Sequence, residues 1–144
     1  MQSKEPLNYS PFPLDKDFLL TNVEKESIFI AAIDIGTNST HLLVSLINPT
    51  LNTFSIELAE KVTTRLGERD PLSGDLTDEA MDRVLETLRN FKEIARSYGV
   101  KAIITAATSA VREAPNGKQF IENIKSTLGI NIDLITGLEE ARLI

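Results

Sequence analysis

The chain has 144 residues, 42% of them apolar and 25% charged, with a net charge of -6 and no cysteine. That size and composition suit one globular domain with a real core, the acidity argues against broad, nonspecific nucleic-acid binding, and the lack of thiols excludes disulfides and thiolate metal sites. There is no signal-peptide pattern and no apolar run of membrane-spanning length, so neither a membrane nor a nucleic acid is an expected partner, and the cytoplasm is the expected compartment.

Residues Met1 to Ser27 are polar and interrupted by Pro6, Pro11 and Pro13, which predicts an extended or disordered arm over 1–27. Phe12, Phe18, Leu19 and Leu20 give that arm enough apolar surface to dock on a neighbour. From Ile28 to Leu46 the chain reads IFIAAIDIGTNSTHLLVSL: two apolar runs around a small polar turn, the pattern of a β-hairpin. The turn holds Asp34, Gly36, Thr37, Asn38 and Ser39. A glycine lets a ligand approach the backbone, successive turn amides suit phosphate oxygens, and a carboxylate can hold Mg²⁺ shared with a phosphate. A plain hairpin turn with an exposed Asp34 fits the spacing as well.

Asn48 to Asn52 predicts a second turn and Phe54 to Thr64 a third strand, with Phe54, Ile56 and Leu58 of one parity and a bulge expected near Ala59-Glu60-Lys61. RLGERDPLSGDL, from Arg65 to Leu76, reads as a loop. Thr77 fits a helix N-cap with Asp78 and Glu79 behind it. Met81, Val84, Leu85, Leu88, Phe91, Ile94, Ala95 and Tyr98 then recur at helical spacing, and Gly99 ends the helix. Val100 to Ala107 predicts a buried strand, Phe120 to Leu128 a second amphipathic helix closed by Gly129, Ile130 to Ile135 a short strand, and Leu138 onwards the start of a helix.

Strands joined through helices pair in parallel with right-handed crossovers, and the first three, joined by short turns, pair antiparallel. The expected fold is therefore α/β, a mixed five-stranded sheet with flanking helices. Ligands of such sheets gather at the carboxyl ends of the strands, where Asp34, Arg112 and Glu140 fall.

DIGTNSTHLL, TRLGE, ATSAVREAPNG and ITGLEEARLI resemble, in order and spacing, the amino-terminal half-domain of the exopolyphosphatase and guanosine pentaphosphate phosphohydrolase family, over Ile28 to Ile144. The resemblance implies an actin-like ATPase (ribonuclease H-like) half-domain. It also implies a hydrolase that releases terminal phosphate from inorganic polyphosphate or guanosine pentaphosphate with Mg²⁺ as cofactor. Carried over by motif, Asp34 places the metal, and Gly36, Thr37, Asn38 and Ser39 cradle phosphate. Arg112 contacts phosphate, and Glu140 is the base that orients the attacking water. Family members continue beyond EEARL into a second half-domain, so the chain is expected to be a weakly active or inactive piece of a larger protein, with a homodimer an expected alternative partner for its exposed end. A kinase or ATPase of the same superfamily, and a noncatalytic phosphate- or alarmone-binding module, remain alternatives. Taken residue by residue, Glu140 and Arg112 also suit solvated surface positions, Thr108 and Ser109 suit turn or cap roles, His41 a strand position, and Arg65 either a substrate contact or a loop salt bridge.

Overall fold

The computed structural model describes residues 27–136. The expected arm over 1–27, apart from Ser27, and the expected helix start bearing Glu140 lie outside the described residues. Within them the order is β1 (Ile28–Ile35), β2 (Ser39–Asn48), β3 (Thr53–Thr63), α1 (Asp78–Tyr98), β4 (Ala102–Ala107), α2 (Ser109–Glu113), α3 (Gly117–Leu128) and β5 (Ile132–Leu134). The five strands form one sheet in the order β3-β2-β1-β4-β5, antiparallel from β3 to β1 and parallel from β1 to β5. The expected mixed five-stranded sheet is therefore the observed one.

The two faces of the sheet are unlike. Ala31, Ile33 and Ile35 of β1 and Leu42 and Val44 of β2 belong to the main core, with Val84, Leu88 and Phe91 of α1 and Phe120 and Ile124 of α3. Alternation along each strand sends Ile28, Ile30, Ala32 and Asp34 to the other face. There Ile28, Ile30 and Ile104 make a smaller cluster with Ile47. Asp34 thus stands, exposed, on the face away from α1 and α3 and at the carboxyl end of β1.

Local signals explain most of the elements. The Thr77 hydroxyl accepts the Ala80 amide at 3.2 Å, capping α1, and Gly99 ends it in a left-handed conformation that donates to Ala95 and Arg96 carbonyls. Phe29 meets Tyr98 edge to face at 5.6 Å. Lys92 of α1 donates to the Leu128 carbonyl at 2.6 Å, placing a cation on the negative end of α3.

The third strand departs from expectation. It is an edge strand, and Phe54 and Ile56 are 70% and 55% exposed. Val44 faces Leu58 while Ser45 faces Ile56, so the extra residue is Glu57, ahead of the expected bulge at 59–61. The bulge reverses the alternation: Leu58 lies on the helix-covered side and joins the core, whereas Phe54 and Ile56 lie on the opposite side. Thr108 to Ala114, expected only as a segment leaving β4, contains the one-and-a-half-turn helix α2. The last strand is shorter than expected, three residues rather than six.

Candidate phosphate site at the carboxyl edge of the sheet

The turn between β1 and β2 is the centre of this edge. Asp34 pairs with His41 and Ile35 with Thr40, leaving Gly36 to Ser39 to reverse the chain. The Gly36 amide donates to the Ser39 carbonyl at 3.0 Å. A Cβ on Gly36 would sit 3.0 Å from that same oxygen, a tight contact that the turn would have to shift slightly to admit. Its amide closes the turn, and what it offers a ligand is space. Thr37 and Asn38 are exposed at the apex, while Ser39 is buried.

The segment Thr64 to Glu68, the TRLGE motif, braces the turn from one side. Asn38 O accepts from Thr64 N at 3.1 Å and Arg65 N at 2.9 Å, and Thr37 O accepts from Gly67 N at 2.8 Å. In a trans peptide the carbonyl and the next amide point in opposite directions. Two carbonyls turned toward residues 64–67 therefore aim the Asn38 and Ser39 amides to the other side of the turn, a short anion-accepting run of donors. Gly67 packs closely on the turn: a Cβ there would stand 2.5 Å from the exposed Thr37 Cγ2, which would have to turn aside. Beneath it the Thr40 and Thr64 hydroxyls form a buried bond of 2.9 Å.

Arg83 of α1 locks the brace. Its Nε donates to Thr64 O at 2.8 Å, and its Nη2 meets Glu68 Oε2 at 2.8 Å. Arg65 Nε faces the other Glu68 oxygen at 3.3 Å. The Arg83 hydrogen bond and the two nearby cations hold the Glu68 carboxyl below its usual range. Sequence reasoning missed Arg83, since a guanidinium that serves a distant main-chain carbonyl has no local signature.

The other side of the turn is the segment after β4. Thr108 N donates to Ile35 O at 3.2 Å, which keeps the β1 and β4 ends level. Thr37 Oγ1 and Ser109 Oγ lie 3.2 Å apart. Thr108 occupies the N-cap position of α2 without a side-chain cap bond. Arg112 follows on α2 and donates to the Ile135 carbonyl, just past β5. Its contact with Glu113 is long, 3.9 Å, and its side chain is part-exposed. Asp34 and Arg112 are therefore brought to one edge, and Arg112 also fastens the strand end from which the chain runs on toward Glu140.

The geometry of α2 depends on Gly117. A Cβ there would lie 1.9 Å from the Val111 carbonyl oxygen. The neighbouring Asn116 makes a paired amide contact with Leu76, accepting from its N at 2.8 Å and donating to its O at 3.1 Å. Arg69 reaches the Gly74 and Ala110 carbonyls at 3.2 and 2.7 Å. These contacts explain the Asn-Gly of the ATSAVREAPNG motif, whose only local hint was a turn dipeptide ahead of an amphipathic run.

A family model described as the Ppx/GppA phosphatase family matches residues 43–144. The chain belongs to this family. It is 31% identical over 115 residues to "Exopolyphosphatase 1" of Mycobacterium leprae, covering 79% of this chain and 33% of that protein. Among solved structures, an exopolyphosphatase from Cytophaga hutchinsonii matches with a TM-score of 0.75 and 38% identity over 81% of this chain and 36% of that one. The Ppx/GppA family member of Aquifex aeolicus matches with a TM-score of 0.75 and 28% identity, over 81% and 37%. The chain spans about a third of the length of these relatives.

The oxygen-rich edge fits a hard cation. Asp34 supplies an exposed carboxylate beside a turn of hydroxyls and amides, the donor type Mg²⁺ takes when it shares its shell with phosphates and water. Among the described residues there is no group of three or more His, Cys, Asp or Glu able to hold a metal unaided, and no helix is long and apolar enough to cross a membrane.

Proposed function

We propose that this chain forms one wall of a phosphoanhydride hydrolase that releases terminal phosphate from inorganic polyphosphate or guanosine pentaphosphate. The observation that carries the reading is the braced turn: Asn38 and Ser39 amides directed away from residues 64–67, with Asp34 and Arg112 at the same edge of the sheet. Family membership and exopolyphosphatase relatives support it.

In this reading the turn amides and the Thr37 and Asn38 side chains hold nonbridging oxygens of the phosphate chain. Arg112, with donors beyond the one on Ile135, takes a further phosphate oxygen in a charge-assisted bond. Asp34 holds Mg²⁺, which when bound neutralises charge on the group being transferred. Glu140 orients water in line with the bond to be broken and takes its proton. The Arg112 contact with Ile135 holds the end of β5, five residues before this base in the sequence.

The test is phosphate release from each substrate in magnesium buffer, using the longest protein that carries this sequence. Glu140→Gln is expected to lose about 100-fold or more in kcat, the scale of a lost general base. Full activity in that variant would refute the role given to Glu140.

A further inference from the structure

Arg65 is the one residue of the brace whose side chain neither the turn nor the core requires. Its backbone is held in the left-handed region at a φ of 50°, a conformation that an arginine does not adopt without being made to. It belongs to a tight turn, closed by the Glu68 amide on the Arg65 carbonyl at 3.2 Å, and three further contacts surround it. Its amide donates to Asn38 O at 2.9 Å, its carbonyl accepts from Arg83 Nη2 at 3.4 Å, and its Nε faces Glu68 at 3.3 Å. The only other non-glycine residue with a positive φ among those described is Asn52, in an ordinary turn.

The outcome of that constraint is a cation rooted against the apex of the turn, with a side chain 60% exposed. Glu68 does not cancel it, because the same carboxylate serves Arg83 through its other oxygen. Two guanidiniums share one carboxylate, so the cluster carries a net positive charge. This stands out in a chain whose net charge is -6, where attraction of a polyanion depends on local cations.

Resting on the hydrolase reading above, we propose that Arg65 is a further binding residue of this site, a cation that takes a phosphate oxygen of a linear phosphoanhydride where the ligand runs past the Thr37–Asn38 apex toward residues 64–68. Its main chain is rooted at the apex by the Asn38 carbonyl and by the turn that the Glu68 amide closes, and its side chain stands 60% exposed.

The experiment is calorimetric titration of the longest protein that carries this sequence with sodium tripolyphosphate in magnesium buffer at several salt concentrations, beside thermal unfolding. Arg65→Gly suits this test because glycine accepts the left-handed backbone without strain. It is expected to bind about 10-fold more weakly, the scale of one lost charge-assisted bond, with a shallower salt dependence and an undiminished melting temperature. Arg65→Lys is expected to recover most of the affinity. Glu68→Gln, which removes the competing carboxylate, is expected to bind at least as tightly as the parent.

Parent-like binding by Arg65→Gly would overturn the proposal and leave the hydrolase reading standing. So would a loss in Glu68→Gln equal to that in Arg65→Gly, since loop order and not charge would then be what the ligand needs. No binding by the parent protein would overturn both.

Discussion

The two flanks of the β1–β2 turn are held by different means. Residues 64–67 grip it through main-chain hydrogen bonds to the Thr37 and Asn38 carbonyls, which most side-chain replacements leave intact. Residues 108–117 depend on what their side chains are: a hydroxyl on Ser109, an amide on Asn116, and no side chain at all on Gly117. The first flank sets the orientation of the turn amides, and the second sets where Arg112 stands. Loss of Gly117 or Asn116 on the second flank should therefore be felt more sharply than loss of a side chain that supports the first.

Gly117→Ala is the largest expected effect. No rotamer change relieves a Cβ 1.9 Å from a main-chain oxygen, so α2 and α3 must separate, at about 3 kcal/mol or more by denaturant unfolding. A cost under about 1 kcal/mol would show that this flank is not closely packed. Asn116→Ala removes both bonds to Leu76 and should cost about 2 kcal/mol, because it strands part-buried main-chain groups.

Arg83→Met tests the first flank. It should cost about 1 to 2 kcal/mol through the Thr64 carbonyl bond. Amide exchange at Thr64 and Arg65 should change little if the main chain suffices to hold the brace, and rapid exchange there would erase the contrast between the flanks. Ser109→Ala, which loses one exposed hydroxyl contact, should cost about 0.5 kcal/mol.

The smallest effect is with pH. Glu68 is depressed in the folded chain by the Arg83 hydrogen bond and by the charges of Arg83 and Arg65. Its contribution is therefore present above the ordinary carboxylate pKa and is lost as pH falls through the lower folded value. The parent should lose slightly more stability than Glu68→Gln on acidification below about pH 4.5, and identical profiles would remove Glu68 from the brace.

The elements that sequence made legible are those with a local cause. Thr77 and Gly99 bound α1 because capping chemistry is written in one or two residues. The order and sense of the strands followed from their connections, and the placing of Asp34 and Arg112 at one edge followed from that order. What was not legible depends on who the distant neighbour is. Glu57 gave no sign that it would be the extra residue in β3, because register is decided jointly with β2. Arg83, Asn116 and Gly67 serve main-chain atoms or close contacts far off in the chain. TRLGE could be recognised as a motif, but its task of turning two carbonyls aside emerges only when it is laid against Thr37 and Asn38.

The surplus residue at Glu57 has a consequence for how this molecule meets others. Among the described residues β3 is long, outermost and poorly covered, the sort of rim on which a foreign strand can zip. A strand added along it would fall out of step at Glu57 and could not bond evenly through the whole length. The same irregularity that turns Phe54 and Ile56 away from the core thus blunts the rim against runaway sheet growth.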